Sequence, residues 1–456
     1  MKKVKIGISI LLVALGAYIF ADSWDLIPGP FTTKPPLAQP LPYPEVDELD
    51  VTEESAPDFA TLPEIDSARL STILDEMRTD VRMSGLPAVV VADPLKNETL
   101  VGINENQPIR PASTMKYLTA VSALSVLGPQ TTFDTTVTIH NQDLYLLGGG
   151  DVGLASSSGN PQAVIGHAGI TDLVDQVSEN LAQKDSQFTL YVDSSRYSDE
   201  IFNPTVQREE NTRYVMPIRP VAIDRGKQTT EKYAPFYSDP DILAAQECAR
   251  QLQARGVDVV VAGRGVAPET ATEIARVHSA PVRELVELMM SESDNTIAEI
   301  LSHEVAVKTN LPPTFAGASK AVNAALTAQN FSTQGTIIDD SSGLSDLNRI
   351  PAQLLADILQ RTWDCHGCTL SSLGASLPLA SLDGTLHDRF VDSPARGAIR
   401  AKTGTLSTTT ALAGYIQTKA GRPLIFVAIV SDHKENDILN IRAVIDDAVG
   451  KIVEEL

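Results

Sequence analysis

Hydrophobic positions first fall into a regular pattern after Asp66, where Leu70, Ile73, Leu74, Met77 and Val81 recur every three or four residues. That spacing predicts a helix with one buried face, and Asp66 is placed to cap its first turn. Two short β-rich runs follow, Ala88 to Ala92 and Thr99 to Ile103, joined by the turn-forming Asp93-Pro94-Leu95-Lys96-Asn97, which predicts a hairpin. Near the other end, strand-like runs at Ile399 to Thr405, Leu412 to Gln417 and Leu424 to Val430 precede a helix with Ile438, Ile441, Ile445, Ala448 and Ile452 inward. Strands at both ends with helices between them predict an α+β domain whose antiparallel sheet closes only when the chain returns. From about Thr131 to Ala280 the pattern changes. Strands at Phe133 to Ile139, Leu144 to Leu147 and Phe188 to Val192, with helices at Asp172 to Ala182 and Asp241 to Arg255, suffice for a second, smaller α/β core. The expected division is therefore 1–21 for export, 22–64 as linker, 65–130 and 281–456 as two parts of one domain, and 131–280 as an inserted domain.

Composition sharpens this picture at the N-terminus. Lys2, Lys3 and Lys5 precede a mostly apolar stretch from Ile6 to Ala21, the pattern of an export segment. The stretch is shorter than the roughly 20 residues of a comfortable membrane span, yet no clean cleavage site precedes Asp22, so cleavage and retention as a membrane anchor both stay open. Prolines 28, 30, 35, 36, 40, 42 and 44, followed by acidic residues, mark an extended linker. With 36 Lys and Arg against 58 Asp and Glu, a net charge of −22, nucleic acid and anionic lipid are disfavoured as partners. The three cysteines imply no dense disulfide framework. Cys365 and Cys368 read as a local structural disulfide, with a redox or metal pair as the alternative, and Cys248 as a buried thiol on the stripe of Ala245 and Leu252.

The candidate chemistry lies in three short motifs. Ser113-Thr114-Met115-Lys116 follows Pro111 at the start of a helix, so Ser113 and Lys116 share a face. A serine hydroxyl becomes a nucleophile when a neighbouring base takes its proton, and a lysine of lowered pKa one turn away can do so. Alone, S-x-x-K is a weak signal. Ser293-Asp294-Asn295 and Lys402-Thr403-Gly404-Thr405 follow in order, and the set S-x-x-K, S-D-N, K-T-G is the signature of β-lactamases and penicillin-binding proteins. The chemistry assigns roles. Lys116 is the base, its pKa lowered by the like charge of Lys402. Ser293 passes a proton between Lys116 and the leaving amine. Asn295 orients the substrate backbone. Gly404 lets the substrate lie close to an edge strand, with the Thr405 and Ser113 amides holding the oxyanion. Lys402, Thr403 and Thr405 suit a substrate carboxylate.

On these motifs the chain resembles the serine D,D-peptidases of class S13, the class C low-molecular-mass penicillin-binding proteins, from about Asp66 to Leu456. Further similar segments are Leu147-Gly148-Gly149-Gly150-Asp151, Val192-Asp193-Ser194-Ser195, Ala222-Ile223-Asp224-Arg225, Asp340-Ser341-Ser342-Gly343-Leu344-Ser345 and Leu382-Asp383-Gly384-Thr385-Leu386. The resemblance implies a penicillin-binding/β-lactamase-like serine transferase fold. It also implies a D-alanyl-D-alanine carboxypeptidase, with D,D-endopeptidase action open, that acts on peptidoglycan stem peptides outside the cytoplasm and is acylated by β-lactams. No cofactor or metal is expected. Two departures stand out. The Ser113 to Ser293 spacing is shorter than in the longest members, which nest a third domain, so a trimmed architecture is expected. Asp346 stands where many relatives carry Arg, which alters side-chain preference if that position reads the third peptide residue.

Two rival readings share the motifs, a β-lactamase and a non-catalytic β-lactam or wall sensor, and deacylation separates them. A zinc peptidase lacks its H-E-x-x-H and an α/β-hydrolase its G-x-S-x-G here. His140, His167, His278, His303, His366, His387 and His433 show no ligand spacing. Gly148-Gly149-Gly150 lacks a phosphate-loop pattern and reads as a tight turn or a close backbone approach.

Overall fold

The computed structural model describes residues 59–181, 186–231 and 233–456, together with Leu15 and Tyr18. Apart from those two residues, the export segment and the linker as far as residue 58 lie outside it. Among the described residues no helix is long and apolar enough to cross a membrane.

The predicted first helix forms at Ser67–Thr79, where Asp66 accepts hydrogen bonds from the amides of Ala68 and Arg69, satisfying donors that the first turn cannot. Leu70, Ile73, Leu74 and Met77 are buried, but Val81 lies past the helix end and is fully exposed, because Asp80 has left the helical conformation. The hairpin follows as Leu86–Asp93 and Glu98–Ile103. Ordered contact also begins earlier than the predicted linker boundary, since the Phe59 ring meets Trp363 edge-on.

The larger sheet has the spatial order Ile399–Leu406, Thr409–Gln417, Pro423–Ser431, Leu86–Asp93, Glu98–Ile103. The first and last parts of the chain meet where Leu86 to Ala92 pair antiparallel with Ser431 to Ile425. Each face carries its own core. On one, Leu412, Phe426 and Val430 pack with the first helix and with Ile441, Ile445, Ala448 and Ile452 of the final helix, Ile438–Glu455. Ile438, at that helix's first residue, is only half-buried. On the other face, Ala88, Val90, Ala413, Val427 and Ile429 pack against a helical layer that includes Lys116–Ser122, Val282–Glu292, Asn295–Lys308, Phe315–Ala328 and Ala352–Trp363.

A second sheet is built from 134–278, in the order Val259–Arg264, Phe188–Asp193, Asp143–Gly148, Asp134–His140, Thr272–His278. Its core joins Leu144, Leu146, Leu190 and Val192 to the helices Ile170–Asn180 and Pro240–Ala254, with Cys248 buried among them. A fourth cluster, with Tyr197, Val206, Met216 and Ile218, packs on Ile300, Phe315 and Leu344. Gly148 to Gly150 answer to both expectations. Gly150 turns at φ +109, while a side chain at Gly149 would overlap the Asp134 carbonyl. Cys365 and Cys368 are disulfide-bonded.

Candidate active site

Ser113 sits in a 3₁₀ turn, Ala112–Met115, that runs directly into the Lys116–Ser122 helix. Ala112 adopts φ +49, an uncommon conformation for a residue with a Cβ, immediately before the nucleophile candidate. The Lys116 Nζ lies 3.2 Å from the Ser113 Oγ and donates to the Asn295 Oδ1 and to the Ser342 carbonyl, both at 2.6 Å. The S-x-x-K and S-D-N motifs, 179 residues apart at this pair, therefore meet at one ammonium nitrogen.

Burial lowers the Lys116 pKa to about 8, while Asp340, Asp294 and Glu299 oppose the shift. Burial is a cause that the sequence expectation, built on the like charge of Lys402, did not include. Removal from water is the largest cause of the shift. Asn295 also has a more local task than expected. Its Oδ1 takes the Lys116 proton donor and its Nδ2 donates to the Tyr214 carbonyl at 2.9 Å, leaving one further amide hydrogen for a substrate.

Ser293 lies between two helices. Val282–Glu292 stops, Ser293 turns at φ +62, and Asp294 caps Asn295–Lys308 by accepting from the Ile297 amide at 2.9 Å.

Lys402 to Thr405 lie on the sheet's edge strand, where the segment around Leu379 covers the outer side as far as Ala401. Lys402 is fully buried and donates to the Thr403 carbonyl at 2.8 Å, and the Thr403 hydroxyl donates to Thr385 at 2.9 Å. A Cβ on Gly404 would crowd the Pro111 carbonyl and the Ala112 methyl. The glycine thus serves close packing of the edge strand on the Ser113 turn, a role beside the expected one of leaving room for substrate.

The loop from Asp340 to Ser345 supplies the remaining wall. Gly343, at φ +88, presses on the Ala112 carbonyl so closely that no side chain fits. The Asp340 carboxylate gathers the loop, accepting from the Gly343 and Ser345 amides, the Ser342 hydroxyl and Asn348. The Arg349 guanidinium donates to the Asp346 main-chain carbonyl at 2.5 Å. The Asp346 amide faces the Glu209 carboxylate, whose pKa burial and the neighbouring Asp346 raise to about 7.

Sequence reasoning did not single out Glu299. One helical turn beyond Asn295 and 3% exposed, it accepts from the Ser341 and Ser342 amides at 3.0 and 2.8 Å and so fixes the two peptides just before the Ser342 carbonyl that receives Lys116. Burial first, and Asp340 second, push its pKa up to about 8. The available signal was an acid within the apolar run Ile297, Ala298, Ile300, Leu301. Among the described residues no group of acids, histidines and cysteines is arranged to hold a metal ion.

Compared with known proteins, the chain matches the D-Ala-D-Ala carboxypeptidase 3 (S13) family over residues 70–236 and 230–451. It is 34% identical over 358 residues to carboxypeptidase Rv3627c of Mycobacterium tuberculosis, covering 76% of each chain. It is 26% identical over 460 residues to the D-alanyl-D-alanine carboxypeptidase of Actinomadura sp. strain R39, covering 82% of this chain and 83% of that one. Among solved structures, penicillin binding protein 4 of Haemophilus influenzae superposes with a TM-score of 0.67 at 20% identity, covering 85% of this chain and all of that one. The same protein complexed with a β-lactam gives 0.62 at 21% identity, covering 84% and 99%.

Proposed function

Since the chain belongs to the S13 family and is a serine-type D-Ala-D-Ala carboxypeptidase, we propose that Ser113 is its nucleophile, Lys116 its general base and Ser293 its proton carrier. The observation that carries this reading is the buried Lys116 amine 3.2 Å from the Ser113 hydroxyl, with a pKa of about 8. At pH 7 about one-tenth of such an amine is neutral, enough to serve as a base without an external activator.

In the first step the neutral Lys116 takes the Ser113 proton as Oγ attacks the carbonyl carbon of the penultimate D-Ala. The Ser113 and Thr405 amides receive the oxyanion. Lys402, Thr403 and Thr405 hold the terminal carboxylate, and Asn295 binds the peptide backbone. Collapse breaks the C–N bond, with the proton relayed through Ser293 to the leaving D-Ala amine. Water then hydrolyses the Ser113 ester by the same base. A β-lactam enters the first half of this sequence and stays as the acyl-enzyme. Cleavage of D-amino-acid cross-links uses the same acyl-enzyme and belongs to the same proposal.

Action on peptidoglycan places the enzyme outside the cytoplasm. Residues 131–280 act as an inserted domain, and residues 1–21 as the export segment. N-terminal sequencing of the mature protein separates a cleaved signal from a retained anchor.

Intact-protein mass after fluorescent penicillin, read with D-alanine release from a muropeptide pentapeptide, tests the assignment. Wild type gains the adduct and releases D-alanine, and Ser113→Ala does neither. An adduct that clears within seconds would instead indicate a β-lactamase, and an adduct without peptide cleavage a sensor.

A further inference from the structure

The turn that carries Ser293 is held from outside its own helices. A residue with a Cβ in the left-handed region at a helix end, where glycine is usual, persists only when its surroundings over-determine it. Ser293 has φ +62 and ψ 38. Its two sequence neighbours are both carboxylates, and both accept from the same nitrogen. The Arg225 Nη1 donates to the Glu292 Oε2 at 3.0 Å and to the Asp294 Oδ2 at 2.9 Å. Nη1 has two hydrogens, one for each. The other oxygen of Asp294 is the cap of the following helix, so the guanidinium and the helix end share one carboxylate.

Arg225 comes from the 131–280 segment and is itself set by an unusual turn. Asp224, Arg225 and Gly226 have φ values of +48, +58 and +68 in succession. Gly226 packs so tightly on Met216 that a Cβ would overlap its sulfur, and the preceding Val221–Ile223 strand pairs with Asp151–Leu154. The same segment ties the catalytic turn twice more, through the Tyr214 carbonyl to Asn295 and the Met216 amide to Thr296. The Arg225 side chain is 16% exposed, so solvent screens it little.

We propose that Arg225 is a positioning residue for acyl transfer: its guanidinium brackets Ser293 through Glu292 and Asp294 and holds the serine in the left-handed conformation from which it relays the proton. This rests on the reading of Ser293 as proton carrier. The 131–280 segment is then a working part of the catalytic centre, because it supplies the clamp.

The test is the acylation rate with fluorescent penicillin and the kcat and KM for pentapeptide, on wild type, Arg225→Ala, Arg225→Lys and Glu292→Gln, with melting temperatures alongside. Arg225→Ala is expected to acylate roughly tenfold to a hundredfold more slowly, with KM within about twofold of wild type. Arg225→Lys, whose ammonium is a point charge without the planar fork, falls between. Glu292→Gln, a half-exposed position, loses a few-fold, on the order of the smaller positioning effects. Added ethylguanidine restores part of the Arg225→Ala rate, which a merely destabilised fold would not show. Wild-type acylation in Arg225→Ala, or a loss confined to KM, overturns the inference. If Arg225→Ala does not fold, Arg225→Lys and Glu292→Gln decide: slowed acylation at unchanged melting temperature supports the clamp, and unchanged rates in both refute it. A wild type that takes no label removes the reading of the site and the inference's premise together, whereas a labelled wild type with unaffected variants sinks the inference alone.

Discussion

The balance at the catalytic nitrogen is between one cation and the acids around it. Lys116 is brought to about 8 by burial, and Asp340, Asp294 and Glu299 each favour its charged form. The neutral amine is the reactive one, so acylation should rise with pH through about 8 and level off above it, as a stopped-flow pH series with a chromogenic cephalosporin would show. Replacing Glu299 by Gln keeps a carbonyl oxygen for the Ser341 and Ser342 amides and removes a carboxyl group that, with its own pKa at about 8, gains its charge over the same pH range in which Lys116 loses its proton. The lysine then loses its proton more easily, and the rising limb moves to lower pH. A limb that moves to higher pH, or not at all, would show that Glu299 exerts no charge effect on Lys116. Ser293→Gly separates two roles of another residue: the backbone relaxes, since glycine tolerates φ +62 without cost, while the relay hydroxyl disappears. Melting temperature should hold or rise, and D-alanine release should fall at least about a hundredfold, the scale of general acid–base catalysis. The motif residues were legible at this scale because reactive side chains recur in fixed local spacings. Glu299 was not, because its meaning depends on which loop folds over its helix.

Between the elements around Ser113, some contacts are close approaches of backbone that leave no room for a side chain. Gly343 shows this most sharply. Its loop carries the Ser342 carbonyl that receives Lys116, and a methyl group at φ +88 would collide with the Ala112 carbonyl just before Ser113. Gly343→Ala must therefore shift both the base and the nucleophile. Acylation is expected to drop by about a hundredfold or more, with a lowered melting temperature, and a variant that labels at the wild-type rate would mean the loop adapts freely. Elements with a strong period were legible in the sequence, including Ser67–Thr79, Phe188–Asp193, Pro240–Ala254 and the three strands after Ile399. The short parallel pair Asp151–Leu154 with Val221–Ile223 was not, since three or four residues give no periodicity and their pairing is decided by distant chain. Val259–Arg264 was hidden for a related reason: its consecutive valines suit a strand, but only its neighbour Phe188–Asp193 makes it one. Val81 failed the opposite way. Its spacing fits the first helix, yet Asp80 ends the helix before it.

At the scale of the whole molecule, the sheet that carries Lys402 depends on chain segments more than 300 residues apart, because Leu86–Asp93 pairs with Pro423–Ser431. That closure was foreseeable from strands at both ends, but the energetic dependence on the last helix was not. Ile438–Glu455 covers one face of the sheet with Ile441, Val444, Ile445, Val449, Ile452 and Val453, all buried. At about 1.5–3 kcal/mol for each large apolar side chain, this helix contributes on the order of 10 kcal/mol. That is comparable to the roughly 5–15 kcal/mol net stability of a typical protein. Its ion pairs to the first helix, Lys451 with Glu76 and Arg69 with Glu455, are exposed and add little. A chain ended at Asp437 should therefore lose penicillin labelling entirely and accumulate insoluble, although every catalytic residue remains. Removal also uncovers Leu412, Phe426 and Val430 on the sheet face, whose opposite side supports the Ser113 helix. A soluble truncated chain that still takes the label would mean that the helical layer around Ser113 holds the site without the second face, and the energetic weight would then belong to the layer containing Val282–Glu292 and Asn295–Lys308.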